Sequence, residues 1–192
     1  MTQVDELKKH LKKGQLYRRP DLAQWSKSVD SHLKKLVEDG TLKKLSQGLY
    51  YFPKKTAFGY APPEEETLVR FLLKGDRFLL TSPNAYNNLG VGTTQLYNTR
   101  TVYNHKRHGE VTVGNRKFNF RLRQQFPKTA TPEFLLVDLV NNLNKLAEDR
   151  EGLLNKILSR AERMNSKKLM KAVRMYGNSR TKKILGSSKP IG

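Results

Sequence analysis

Residues 18–47 hold side chains that suit contact with a polyanion. Hydroxyl and imidazole groups, which can exchange hydrogen bonds with the edges of bases, are carried by Ser28, Ser31 and His32. Cations that can neutralise phosphates surround them: Arg18, Arg19, Lys27, Lys34, Lys35, Lys43 and Lys44. Gln47 adds an amide that can contact the backbone or the minor groove. This combination is typical of a surface that reads bases with a few polar groups and fixes its register on phosphates.

The charge of the whole chain favours the same kind of partner. Its 192 residues carry 37 Lys and Arg against 17 Asp and Glu, a net charge of +20. Residues 1–55 have 13 basic and 6 acidic side chains, and residues 150–192 have 12 and 2. The segment between them, with 12 and 9, is nearly balanced. Two basic ends around an ordinary middle indicate nucleic acid before a membrane surface.

Three helices and a hairpin are expected to position these side chains. Apolar residues at helical spacing predict helices near residues 3–13, over 20–26, and from Ser28 to Gly40. The period then changes to that of strands, predicted over 41–45 and 49–52 with a turn at 46–48. This layout predicts a winged helix-turn-helix domain over residues 1–55, in an α+β protein.

The third helix is expected to be the reading element. Its apolar side, Val29, Leu33, Leu36 and Val37, would face the core, which leaves the polar side free for the major groove. Arg18 and Arg19 precede the second helix, whose N-terminus also favours a phosphate. The alternative is a small helical core whose basic face is merely solvated, and the sign and placement of the charge favour DNA binding over it.

The same residues resemble a known family. The run from Leu33 to Gly40, then Leu42 and Leu45, and then Gly48-Leu49-Tyr50-Tyr51-Phe52-Pro53 is similar to the N-terminal domain of AbiEi-type antitoxins. Gly14, Tyr17-Arg18-Arg19 and Asp21-Leu22 sit where that family leads into its second helix. Farther along, the run from Thr81 to Gly90 is similar to the family's strand, short helix and glycine.

The resemblance implies a specific role. AbiEi-type antitoxins belong to type IV toxin–antitoxin systems, so it implies a transcriptional repressor that binds inverted repeats in double-stranded DNA at its own operon. It also implies that the C-terminal domain counters a nucleotidyltransferase-like toxin encoded beside it.

The remaining chain is expected to form a second domain over residues 62–186. Pro53, Gly59, Pro62 and Pro63 predict a linker before it. Strand and helix patterns predict a C-terminal α+β domain with a small antiparallel sheet and terminal helices. The basic helix near residues 167–176 has three interpretations: a packed helix with a solvated face, a second nucleic-acid contact, or a docking surface for an acidic partner.

Several classes of function are disfavoured. The sequence has no cysteine, which removes disulfides, thiolate metal sites and cysteine nucleophiles. It shows no nucleophile elbow, phosphate-binding loop or zinc-protease motif, so we expect no enzyme, no metal and no cofactor. Without a long apolar run or a secretory leader, we expect a cytoplasmic, nucleoid-associated monomer or weak dimer without membrane contact. Two rivals stay open: a basic RNA-binding protein and, less favoured, a DNA nuclease.

Overall fold

A computed structural model describes residues 2–91, 93, 96–146 and 149–187. The chain divides into two compact units, Met1–Asp76 with Thr112–Asn115, and Arg77–Val111 with Arg116–Gly192. The sequence placed the boundary at residues 53–63 instead. That segment stays with the first unit because the Tyr51 hydroxyl donates a hydrogen bond to the carbonyl of Ala61, at 3.1 Å.

The first unit begins with three helices and a three-stranded sheet. Its elements are α1 (Gln3–Lys9), β1 (Leu16–Arg18), α2 (Arg19–Ala23), α3 (Val29–Glu38), β2 (Lys43–Ser46) and β3 (Leu49–Tyr51). The sheet has the order β1-β3-β2, and both pairs are antiparallel. The three helices and the β2–β3 hairpin match the predicted elements, whereas β1 was not predicted.

Side-chain caps and apolar spacing explain the local structure of this unit. Thr2 and Asp5 form a reciprocal capping box at the start of α1. Leu7, Leu22, Leu33 and Leu36 are buried together in one core. Gly40 has φ +74°, a left-handed backbone that glycine adopts without strain, and it follows Asp39, the C-cap residue of α3. The apolar periodicity of α3 therefore predicted both its span and its buried face.

A second hairpin and a further helix complete the first unit. The hairpin consists of β4 (Lys54–Thr56) and β5 (Gly59–Ala61), paired antiparallel, and α4 (Glu65–Leu73) follows it. The predicted linker at residues 53–63 is thus an ordered hairpin. The prolines of this segment flank its strands and do not interrupt them. Their number is the reason why residues 53–63 resemble a linker in sequence.

The second unit is built around a four-stranded sheet. The sheet's strands are β6 (Phe78–Thr81), β7 (Thr99–Asn104), β8 (Gly109–Val113) and β9 (Arg116–Leu122), in the order β6-β7-β9-β8; the last two residues of β8 are counted with the first unit. The β6–β7 pair is antiparallel as expected, but β7 and β9 are parallel. This parallel pair was not predicted. It arises because β8 lies outside β9, at the edge of the sheet, so that β9 returns alongside β7 in the same direction.

Helices account for the rest of this unit. They are a 3₁₀ helix (Pro83–Leu89), α5 (Pro132–Asn142), a 3₁₀ turn (Leu143–Lys145), α6 (Arg150–Glu162), α7 (Ser166–Tyr176) and α8 (Ser179–Gly186). Each of the four α helices is capped at its start by a side chain that accepts a hydrogen bond from a backbone N–H three residues later; the capping residues are Thr131, Asp149, Asn165 and Asn178. Residues 134–140 of α5 are all buried, so this helix forms the centre of the unit's core.

The chain is therefore a mixed α+β protein with small sheets and terminal helices, as its sequence predicts. Among the described residues, every helix is too short or too polar to cross a bilayer.

Candidate nucleic-acid interface

The outward side of α3 is polar and carries charges of both signs: Lys34 and Lys35 are exposed there, and so are Asp30 and Glu38. Val29, Leu33 and Leu36 are buried, with exposed fractions of 5%, 1% and 0%. The opposite side, together with the residues just before the helix, presents Lys27, Ser28, Ser31, Lys34 and Lys35 to solvent. These residues recur at helical spacing, so they share one face. Within the first unit, the structure thus brings together five of the eleven residues predicted to contact DNA.

The Ser28 hydroxyl is available at the start of this face. Ser28 occupies the N-cap position of α3, but its side chain makes no capping hydrogen bond. Ser31 is exposed one turn later. The sequence predicted that this helix starts at Ser28, and the structure leaves the Ser28 hydroxyl without a capping role. Two hydroxyl groups can therefore donate to or accept from a ligand near the helix N-terminus.

His32 does not belong to the exposed face. Its exposed fraction is 7%, and its Nδ1 lies 2.7 Å from the Ser26 hydroxyl oxygen. His32 stands three residues after Val29 and four before Leu36, on the buried side of the helix. The His32 ring therefore contacts the loop before α3 and lies away from the face of α3 that would meet base edges.

Lys34 and Lys35 are the strongest phosphate candidates in the unit. Both side chains are exposed. Lys34 has one acidic neighbour, Glu38, at 3.9 Å and four residues along the helix. An exposed pair at this distance contributes little and is screened by salt, so it leaves the ammonium able to exchange partners.

Arg18 has a structural role that its sequence position did not reveal. Its guanidinium donates a hydrogen bond to the carbonyl of Phe71 and lies 4.4 Å from the centre of that residue's ring. These contacts hold α4 against the start of α2. Arg18 is half-buried, so its predicted phosphate contact would require the loss of this packing.

Arg19 is exposed but already paired. Its Nε and one Nη donate to the two carboxylate oxygens of Asp30, at 2.7 and 2.6 Å. These bonds hold the pKa of Asp30 below its ordinary value. A phosphate at Arg19 would have to compete with a bidentate carboxylate that lies on α3 itself.

The β2–β3 hairpin carries the remaining predicted residues. Lys43 and Lys44 are exposed on β2, which is an edge strand, and Gln47 is exposed in the turn that follows. Lys43 has its ammonium 5.7 Å from the ring centre of Tyr60 on the second hairpin. Lys43 thus connects β2 to the second hairpin of the first unit.

The second hairpin of the first unit, β4–β5, was not predicted from the sequence. Lys54 and Lys55 are exposed on β4, and Phe58 in the turn has an exposed fraction of 101%. Tyr60 is 59% exposed. The sequence contained one indication of this hairpin, the glycine at position 59. Gly59 has φ +108°, which suits the end of a tight turn. Because the hairpin buries no apolar face, no alternation of apolar and polar residues marked it.

The second unit contains a buried polar cluster around Asp138. This carboxylate, 1% exposed, accepts hydrogen bonds from the hydroxyls of Tyr86 and Tyr103 at 2.8 and 2.6 Å. Arg123 donates to it at 3.0 Å. Burial, reinforced by the nearby carboxylate, raises the pKa of both tyrosine hydroxyls, so they remain protonated donors.

Three members of this cluster, Asp138, Tyr103 and Arg123, line an open pocket of about 360 Å³. Arg121 at its edge donates to the Asn142 side chain at 2.7 Å, and Arg123 also donates to the carbonyl of Tyr176. Both arginines are therefore engaged inside the unit. With three donors on one carboxylate, the cluster is suited to holding β7, β9 and α5 together rather than to proton transfer.

The described part of the chain shows no candidate metal centre. There, no three His, Asp or Glu side chains come together as candidate ligands.

Comparison with known proteins assigns a family and a fold. A family model described as a family of unknown function (DUF6088) matches residues 3–148. The chain belongs to this family. No curated protein matches it. This DUF6088 chain is similar to the crystal structure of the RV2827C protein from Mycobacterium tuberculosis, with 15% sequence identity and a TM-score of 0.56. The match covers 96% of this chain and 75% of that one, and it concerns the fold alone.

Proposed function

We propose that this protein binds double-stranded DNA through α3 and represses transcription. The observation that carries the proposal is the outward face of α3, where two uncommitted hydroxyls precede two lysines on a single helix face. A helix about 10 Å wide fits the major groove, where Ser28 and Ser31 would reach base edges. Lys27, Lys34 and Lys35 would then lie at the phosphates on either side.

The order of elements supports a winged helix-turn-helix in residues 1–55. Helices α2 and α3 follow one another, and the β2–β3 hairpin comes directly after α3. In such a domain the second helix of the pair enters the groove. The exposed Lys43, Lys44 and Gln47 then lie on the wing, where they would contact the DNA backbone or minor groove.

The biological role that we propose is that of an antitoxin in a type IV toxin–antitoxin system. The support is the resemblance of residues 14–53 and 81–90 to AbiEi-type antitoxins. On this proposal the protein is not an enzyme. It represses its own operon at inverted repeats, acts at the nucleoid in the cytoplasm, and counters a nucleotidyltransferase-like toxin through its C-terminal domain.

Binding to the DNA upstream of the protein's own gene tests the proposed DNA binding. The full chain is titrated into a labelled duplex that carries this region, and into a mixed-sequence duplex of equal length, with anisotropy as the readout. We expect tighter binding to the upstream duplex, and weaker binding to both duplexes for the variant Lys34→Ala, Lys35→Ala. Equal affinity for the two duplexes would contradict a sequence-specific repressor.

Co-expression tests the antitoxin part separately. The neighbouring reading frame is induced with and without this chain, and growth is followed. Rescue of growth by the full chain, but not by a version with residues 77–192 removed, is the expected result. Unchanged growth in every combination would contradict the antitoxin role and leave DNA binding intact.

A second candidate, RNA binding, is favoured by one observation. Proteins that bind single-stranded RNA expose aromatic rings for base stacking, and Phe58 and Tyr60 are exposed. Competition between the upstream duplex and a structured RNA hairpin of equal charge distinguishes the two. Preferential displacement by the RNA hairpin would favour this alternative.

A further inference from the structure

The hairpin β4–β5 is held in place although it lacks a core of its own. Tyr51, 3% exposed, donates a hydrogen bond from its hydroxyl to Ala61 at the base of β5. At the tip, the Thr56 hydroxyl donates to the Gly59 carbonyl at 2.8 Å, which closes the turn. An isolated two-stranded hairpin is marginal in water, so these anchors are what position its tip.

The tip of this hairpin presents an aromatic side chain with no packing role. Phe58 has an exposed fraction of 101%, higher than any other large apolar side chain among the described residues. Tyr60, on the strand that follows, is 59% exposed. A ring held out in water contributes nothing to the folded core, whereas its burial against a partner would be favourable.

The charges around this ring indicate which partner it fits. Lys54 and Lys55 are exposed on β4, and Lys43 lies over the ring of Tyr60. Residues 53–63 contain no acidic side chain. An apolar protein surface would gain nothing from these cations, whereas a nucleic acid offers phosphates for the lysines and flat bases for the rings.

We propose that hairpin β4–β5 is a second DNA contact, in which Phe58 wedges against base pairs of the duplex while Lys54 and Lys55 bind phosphates. Apolar side chains inserted from the minor groove partly unstack a base step and bend the duplex. The inference rests on the proposed DNA-binding function and extends it to a segment outside α3 and the β2–β3 hairpin. Since Lys43 bridges from β2 to Tyr60, the second hairpin prolongs the same cationic surface.

The salt dependence of binding distinguishes a wedge from an ionic contact. Each phosphate contact contributes about 0.9 to the slope of log K against log salt concentration, and an uncharged ring contributes none. Phe58→Ala should therefore weaken binding to the upstream duplex by roughly 5- to 100-fold, the range for loss of one stacked ring, with the slope unchanged. Lys54→Ala with Lys55→Ala should lower the slope by about 1.8.

The experiment uses the full chain and four probes at several salt concentrations. The probes are the upstream duplex, the same duplex with 2-aminopurine in place of one adenine, an RNA hairpin, and vesicles of phosphatidylcholine with phosphatidylserine. The wild type should raise 2-aminopurine fluorescence by unstacking the base, and Phe58→Ala should not. Phe58→Trp is the matched control, since it keeps a flat apolar ring and should retain both affinity and fluorescence change.

The outcomes separate this inference from the proposed function. If the wild type binds the duplex and Phe58→Ala binds it equally well, the wedge is overturned and the proposed function stands. If the wild type fails to bind the duplex, both are overturned. A loss confined to the RNA hairpin or to the vesicles would overturn the wedge in favour of those ligands. Because Phe58 touches no core residue, far-UV circular dichroism and Tm should be the same for all variants.

Discussion

Arg19 and Asp30 form a two-point ion pair that joins the start of α2 to the first turn of α3. The guanidinium Nε lies 2.7 Å from one carboxylate oxygen, and Nη2 lies 2.6 Å from the other. The pKa of Asp30 is lowered by these bonds and the pKa of Arg19 is raised, so both groups are charged at neutral pH. Because of this ion pair, the Arg19 cation is not available on the surface that we propose binds DNA.

Removal of the Asp30 charge should release that cation. In Asp30→Asn, Arg19 loses its charged partner and can reach a phosphate, while one negative charge disappears from the face of α3. We expect tighter binding to any duplex and a salt slope steeper by up to about 0.9, because one more phosphate is neutralised. Anisotropy titrations between 50 and 300 mM salt, roughly the range over which such slopes are read, measure both.

A matched charge change elsewhere controls for net charge. Glu151→Gln alters an exposed acid in the first turn of α6, in the second unit. It should leave the slope unchanged. An equal gain in Glu151→Gln and Asp30→Asn would mean that overall charge, not Arg19, sets the affinity.

The two lysines on α3 give the complementary prediction. Lys34→Ala with Lys35→Ala should weaken binding to all duplexes and lower the salt slope by about 1.8, or 0.9 for each lost contact. The control pair is Lys167→Ala with Lys168→Ala, exposed at the start of α7. If the slope falls in the control and not in the α3 variant, the interface lies on the terminal helices, which the sequence left open as a second nucleic-acid contact.

The sequence predicted the elements whose apolar residues repeat. Helix α3 has buried residues at positions 29, 33 and 36 and a glycine at position 40, so its span and inward side followed from spacing alone. His32 could have been placed by the same rule, because it lies on that inward side. Its position in the helix, rather than the hydrogen-bonding capacity of its imidazole, determines which side it occupies.

Tertiary contacts account for what the sequence did not reveal. Arg19 and Asp30 are eleven residues apart, and Arg18 meets Phe71 across fifty-three, so neither contact follows from local spacing. The hairpin β4–β5 was missed for a different reason. Its proline and glycine content is that of a linker, and its order depends on Tyr51 and on the edge of β2.

Asp39 should make the first unit sensitive to acid. The Thr41 side chain contributes most to lowering the pKa of Asp39 to about 2, followed by the Lys8 ammonium, which donates to the carboxylate at 2.9 Å; the Thr41 backbone N–H also donates to it at 2.9 Å. An unfolded aspartate has a pKa near 3.9, so the folded state takes up this proton at a lower pH than the unfolded state does. The stabilisation is therefore complete above about pH 5 and is lost as the pH falls from 4 towards 2.

Asp39→Asn isolates this effect. The amide oxygen can still accept from Thr41, but the side chain no longer titrates. Because the pair is exposed, we expect the variant to lose less than about 1 kcal/mol at neutral pH. Urea titrations at pH 2 to 6, followed by the fluorescence of Trp25, the only tryptophan, report on the first unit. A difference between wild type and variant that stays constant over this range would contradict the assignment.

The Asp138 cluster should dominate the stability of the second unit. Asp138→Ala leaves Arg123 without its carboxylate and two tyrosine hydroxyls without an acceptor. Removal of one partner of a buried ion pair costs about 3–5 kcal/mol, and we expect a loss of this size in the free energy of unfolding. Urea titration followed by far-UV circular dichroism measures it. Glu151→Ala, an exposed acid of α6, should change stability by less than about 0.5 kcal/mol.

A double substitution shows whether the loss comes from an unpaired charge. Arg123→Met with Asp138→Leu removes both charges and leaves only the tyrosine hydroxyls without an acceptor. The loss of stability in Asp138→Ala could come mainly from leaving the Arg123 guanidinium buried without a partner. In that case the double variant should be more stable than Asp138→Ala alone. Additive losses would mean that the two side chains stabilise the unit independently, through their contacts with Tyr176 and with the tyrosines, and that their ion pair contributes little.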